Sequence, residues 1–151
     1  MKKLVFILLL TLMGCQSAEP ISPAAVDSVA NHDPFCVRFS LPEQVKVNES
    51  FTMEAELKNT SDRAFEMITG EPVFYYVIRD GDGNSDPIIR TDIGVIRPMD
   101  QNQVISESHT YRFKSPGIYE ITAVAEFTLQ SEADNPQVYK IETDPIKIEV
   151  D

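Results

Sequence analysis

The sequence predicts an all-β protein, an antiparallel β-sandwich of about eight or nine short strands. Three observations carry that prediction. Between Phe51 and Lys58, the apolar residues Phe51, Met53, Ala55 and Leu57 alternate with Thr52, Glu54, Glu56 and Lys58. A period of two belongs to a strand with one buried face; wound as a helix, the same apolar residues would scatter around the cylinder. Clusters of Asn, Asp, Gly, Ser and Pro recur between the apolar runs, at Asn59–Asp62, Gly70–Pro72, Asp80–Asn84 and Ser115–Gly117. Such residues tolerate positive φ or fix a bend, so they punctuate strands. No stretch offers the broad apolar face that a helix would need.

The elements follow in order. Residues 15–34 read as a tether, because Pro20, Pro23 and Pro34 interrupt any helix and small polar residues fill the gaps. The period of two starts at Phe35, with Val37, Phe39 and Leu41 on one side and Arg38 and Ser40 on the other. Val45 and Val47 continue extended, and Asn48-Glu49 turns the chain into the Phe51 strand. Phe65 and Met67 keep strand spacing until Gly70-Glu71-Pro72 breaks it. Val73–Ile78 is apolar on both faces, as a strand in mid-sheet is. Asp80-Gly81-Asp82-Gly83-Asn84 is a hairpin turn. Ile88–Ile96 reads as one weaker strand with a bulge at Gly94, Arg97–Asn102 as a loop and the mostly polar Val104–Phe113 as an outer strand. From Tyr119, the residues Ile121, Ala123, Ala125, Phe127 and Leu129 share one face. A polar loop at Ser131–Pro136 leads to two last strands, Val138–Thr143 and Ile146–Val150.

The N-terminus has another logic. Lys2 and Lys3 precede an uninterrupted apolar run from Leu4 to Leu10, and Leu12-Met13-Gly14-Cys15 closes it. Positive charge, a short apolar core and a small residue at a cleavage point make a secretory signal, too short to span a bilayer. The last four residues resemble a bacterial lipobox. The resemblance implies that 1–14 is a lipoprotein signal peptide, that diacylglycerol is transferred to the Cys15 sulfur, and that the mature protein is held on a membrane of the bacterial cell envelope, outside the cytoplasm. The domain itself is then expected over 35–151. Two acyl chains anchor stably where one does not.

Charge and cysteines narrow the partners. The formal net charge is −11, and the segment 1–14 carries two lysines and no acid, so the remainder is more acidic still. An acidic body repels phosphate, which excludes nucleic acid as a partner and leaves membrane contact to the lipid. With Cys15 acylated, Cys36 has no intramolecular partner, and it reads as a small apolar core residue.

Pro116-Gly117-Ile118-Tyr119 resembles the turn-then-tyrosine that opens a late strand in immunoglobulin-like domains, with the ring inside and the hydroxyl on nearby backbone. From Glu56 to Phe127 the chain resembles the BsuPI-like intracellular proteinase inhibitor family. The matching pieces are Leu57–Asp62, Tyr76–Asp80 leading into Asp82-Gly83-Asn84, and Pro116–Tyr119. A tryptophan stretch that the family carries after the Asp-Gly turn is replaced here by Ile88-Ile89-Arg90. The resemblance implies an immunoglobulin-like fold, with protease inhibition through an exposed loop as one reading of function.

No catalytic constellation is legible, and the chain reads as non-enzymatic. His109 stands on a polar strand with neither a nucleophile elbow nor a Gly-rich motif, and His32 lies in the tether. Asp80, Asp82, Asn84 and Asp86 alternate like the first ligands of a calcium loop. Ser85, however, stands where an EF-hand loop needs Gly, and Thr91 where it needs its closing Glu, so the stretch reads as a plain turn. No metal and no cofactor are expected beyond the diacylglycerol at Cys15. The function expected is a binding module for an envelope protein or a protease. Its candidate surfaces are the turn carrying Asp80, Asp82, Asn84 and Asp86, and the Arg97–Gln103 loop with Arg97, Met99 and Asp100.

Overall fold

The computed structural model describes residues 24–130 and 136–151. The signal segment, Cys15 and the Ser131–Asn135 part of the polar loop lie outside the described residues. Among the described residues eleven strands run in order: β1 (Ala25–His32), β2 (Phe35–Pro42), β3 (Gln44–Val45), β4 (Phe51–Asn59), β5 (Phe65–Arg79), β6 (Ser85–Ile88), β7 (Thr91–Met99), β8 (Val104–Tyr111), β9 (Gly117–Leu129), β10 (Gln137–Glu142) and β11 (Ile146–Val150). They form two sheets. One has the order β1-β2-β4-β8; the other has β3-β11-β9-β5-β6, with β10 also on β9 and β7 also on β5. All pairs are antiparallel except the short β3–β11 contact. The fold is an immunoglobulin-like antiparallel β-sandwich.

The core is the set of inward positions that alternation selects. Phe35, Val37, Phe39 and Leu41 of β2 and Phe51, Met53, Ala55 and Leu57 of β4 face Ile121, Ala123, Ala125 and Phe127 of β9 and Ile146 and Ile148 of β11, all buried. Each of the larger of these side chains contributes about 1.5–3 kcal/mol when taken from water. Tyr119 meets its expectation: its hydroxyl donates to the Ser115 carbonyl at 3.1 Å and its ring stacks on Phe113.

Several expectations need correction. The tether reading of 15–34 and the domain start at 35 do not hold for Ala25–His32, which pairs residue for residue with β2. Its inward positions carry Val26, Ser28, Ala30 and His32, opposite Leu41, Phe39, Val37 and Phe35. Small side chains there give no apolar signal; the backbone ladder holds the strand, helped by the Ser28 hydroxyl, which donates to the Asp144 carbonyl at 3.0 Å. The break at Gly70–Pro72 is a bend inside β5, where its register on β9 shifts between Thr69 and Phe74. That bend splits the expected Ile88–Ile96 strand, because β6 pairs with the later half of β5 and β7 with the earlier half. Cys36 is half-buried rather than core, since Phe35 and Val37 take the inward positions beside it. His109, on its polar strand, is half-buried: it lies opposite the buried Met53, with its ring 5.5 Å from that of Tyr76.

Besides His109, β8 carries the carboxylate of Glu107 on its inward side. Its two carboxylate oxygens accept hydrogen bonds from the backbone N–H groups of Val73 and Phe74, at 3.0 and 3.2 Å. Those donors follow the bend in β5, where the ladder to β9 is interrupted, and unmet buried donors are costly. Glu107 thus clasps one sheet to the other.

Candidate functional site

The two predicted surfaces lie at opposite ends of the sandwich. β4 runs from Phe51, paired with Tyr111, to Asn59, whose N–H bonds to Gln103. β5 runs from Phe65, paired with Met99, to Arg79, paired with Ser85. The Asp80–Asn84 turn therefore shares one end with Lys46–Ser50, Lys114–Gly117 and the C-terminal Asp151. The described chain also enters here, where the Ala24 carbonyl accepts from Glu43 N–H at 3.0 Å. The hairpin after β7 shares the other end with the β1–β2 turn and Asn59–Arg63.

At the far end the hub is Asn59, fully buried. Its side-chain NH2 donates to the carbonyls of Arg63 at 2.6 Å and Asp100 at 3.0 Å, and its Oδ1 accepts from the N–H and hydroxyl of Ser61 at 3.0 and 2.8 Å. The hairpin is tight. Gln103 N–H donates to the Asp100 carbonyl at 3.1 Å, Asp100 N–H donates to Gln103 Oε1 at 2.6 Å, and Asn102 sits at φ 58°. The predicted Arg97–Gln103 loop thus shrinks to Asp100–Gln103. Met99 leaves the candidate surface altogether, because it ends β7 inside the core with no exposure. Arg97 is a strand residue whose guanidinium pairs with Glu71; Asp100 alone of the three is an exposed turn residue. Asn59 was legible only as a turn former, yet it continues the inward parity of Phe51, Met53, Ala55 and Leu57, and an amide at an inward position signals a buried hydrogen-bond hub.

At the entry end, Asp80 is consumed by its own turn. Its Oδ1 accepts from the N–H groups of Asp82 and Asn84, at 3.0 and 2.8 Å, and its Oδ2 from the Asn84 amide at 3.0 Å. The Asn84 side chain, with the backbone N–H groups behind it, holds the Asp80 carboxyl below the usual range. Gly83 takes φ 81°, which suits glycine in such a turn. Asp82, Asn84 and Asp86 are exposed. Among the described residues no group of three or more His, Cys, Asp or Glu side chains is placed to hold a metal ion.

Between this hairpin and the segment after β8 opens a cavity of about 420 Å³. Its floor is aromatic. Phe113 stacks between Phe51, at 5.6 Å between centroids, and Tyr119, at 4.2 Å, and Tyr111 meets it edge-on at 5.1 Å. Partial burial, with the Asp86 carboxylate and the Tyr119 hydroxyl nearby, pushes the Tyr111 phenol up. Sequence reading found the Asp80–Asp86 side of this cavity and missed the aromatic side, because Tyr111 and Phe113 read as ordinary strand residues.

No protein-family model matches the chain, and neither does any curated protein. The comparisons thus lend no support to the resemblance to BsuPI-like inhibitors. Some solved structures align with the chain. The C-terminal domain of wzt is 11% identical over 86% of this chain and 75% of its own, with a TM-score of 0.49. A CARDB domain from Pyrococcus furiosus is 15% identical over 78% of this chain and 87% of its own, at 0.47. A beta-glucosidase from Listeria innocua is 15% identical over 77% of this chain, at 0.42, but the match spans 16% of that enzyme. At this level of likeness, no activity passes from them to this chain.

Proposed function

We propose that the protein is a lipid-anchored, non-enzymatic module of the bacterial cell envelope that binds another protein with the far end of its sandwich. One observation carries the reading: the chain enters at Ala24, at the end opposite a rigid, exposed hairpin. The stretch from a lipidated Cys15 to Ala24 spans about 30 Å at most, at ~3.3–3.6 Å per residue. Nine-residue β4 adds about 30 Å more, at ~3.3 Å per residue. With an anchor at Cys15, the Asp100–Gln103 hairpin can stand off from the membrane by up to the sum of these two lengths. An inhibitor loop lies extended in a protease cleft; a four-residue turn closed on itself offers no such segment, which ranks protease inhibition second.

The test is a photo-crosslinking residue placed at Gln101 or at Asp82 in the full-length protein in its cell. A discrete envelope-protein adduct from Gln101 and none from Asp82 is the expected result. No adduct from Gln101, or equal adducts from both positions, overturns the reading. A protease in the Gln101 adduct moves inhibition to first place. Separately, Cys15→Ser is expected to leave the precursor unlipidated and to shift its gel mobility and membrane fractionation; wild-type behaviour would overturn the anchor.

A further inference from the structure

The cavity at the entry end has no part in that reading, and its chemistry is its own. Two half-buried tyrosines, Tyr111 and Tyr119, line it, and the stack of Phe113 on Phe51 holds them in place. Its rim carries acceptors and donors on opposite sides. Asp86 and Asn84 stand on the hairpin side, Arg112 and Lys114 on the other. All four are exposed, and neither Asp86, Arg112 nor Lys114 forms an ion pair with another described residue.

We propose that this cavity binds a saccharide, with one sugar ring laid against Tyr111 and Tyr119 and its hydroxyls shared between Asp86 and Asn84 on one side and Arg112 and Lys114 on the other. A simple cation entering here meets Arg112 and Lys114, and a simple anion meets Asp80 and Asp86. A purely apolar ligand strips water from the rim without replacing its hydrogen bonds. A sugar ring has an apolar C–H face for the aromatic floor and hydroxyls that both donate and accept, so it satisfies both sides of the rim at once. The cavity of about 420 Å³ falls within the range of roughly 300–1,000 Å³ typical of small-ligand sites. The site does not depend on the anchor or on the far-end partner.

The experiment is NMR of the full mature chain, its tyrosine rings isotope-labelled and position 15 changed to serine for solubility. It is titrated with N-acetylglucosamine, chitobiose and maltose, and with the zwitterionic tripeptide Lys-Ala-Glu as the rival. Saturable shifts of the Tyr111 and Tyr119 ring signals with at least one sugar are expected at millimolar concentration. Asp86→Asn and Arg112→Ala, both at exposed positions, should each weaken that binding at least five-fold at an unchanged melting temperature. No saturable shift with any sugar up to 100 mM overturns the proposal. So do shifts that spare the two tyrosines, a response to the tripeptide alone, or rim variants that bind like the parent. Vesicles displaying the bound sugar on a lipid, compared with the free sugar, then show by the tighter response whether the saccharide is lipid-borne.

Discussion

The two ends of the sandwich are built from similar residues but are bonded differently. At the far end the buried amide is fully partnered inside the protein: Asn59 alone joins Arg63, Asp100 and Ser61. At the entry end the rings pack tightly, but the charges above them find no partner across the cavity. Saturation makes a rigid tip whose exposed turn offers shape. Unpaired donors and acceptors over a packed floor offer chemistry. The contrast separates residues that hold structure from residues free to bind, and substitution can break it or sharpen it.

The largest effect is expected at the cavity floor. Phe113→Ala removes a ring stacked between Phe51 and Tyr119 and should cost about 3–5 kcal/mol in urea unfolding. A loss below about 1 kcal/mol would mean that the floor is not a packed unit. Asn59→Ala should cost about 3 kcal/mol, since it leaves carbonyls and N–H groups unmet at the far end. It should also raise amide exchange at Gln103 while leaving the Asp80–Asn84 turn protected. Loosening of both ends together would show that they are not independent. Glu107→Ala, in the middle, should cost about 2 kcal/mol by orphaning Val73 and Phe74 N–H. Glu107→Gln, which keeps one acceptor oxygen, should recover part of that loss.

Smaller effects belong to the rim. Lys114→Ala should change stability by less than about 0.5 kcal/mol, as at an exposed position without a partner. The Asp80 turn should show a pH dependence of definite sign. Its carboxyl titrates below the ordinary aspartate value in the folded protein, so across that window the unfolded chain binds more protons. The stabilisation is complete above the ordinary value and fades as pH falls through the lowered one. The melting temperatures of the parent and of Asp80→Ala should accordingly differ at pH 7 and converge in acid. A difference that persists in strong acid would assign the effect to something other than the charged carboxylate.

What the sequence made legible follows the same division. β2, β4, β9 and β11 announce themselves because large apolar residues fill their inward positions. β1 does not, because Ser28 and Ala30 sit where a core residue would, and the ladder to β2 does the holding. The split between β6 and β7 depends on a bend in β5 and on which half of that strand each one meets, a non-local fact. Glu107 reads as surface until its partners across the sandwich are known. Of the candidate binding residues, the polar turn Asp80–Asp86 was visible from its composition. Met99 was misassigned because a methionine beside a turn carries no mark of which face it takes.

The β1 strand has a mechanical consequence. It starts at the entry end, at Ala25, and runs the length of β2 to His32, with eight paired positions in register. A pull on Ala24 along the strand axis, out of the entry end, loads all of those pairs in shear, so that many hydrogen bonds must yield together. The same pull applied at His32 would peel the strand open one pair at a time. The inconspicuous edge strand is thus oriented to transmit tension from the N-terminal side into the core.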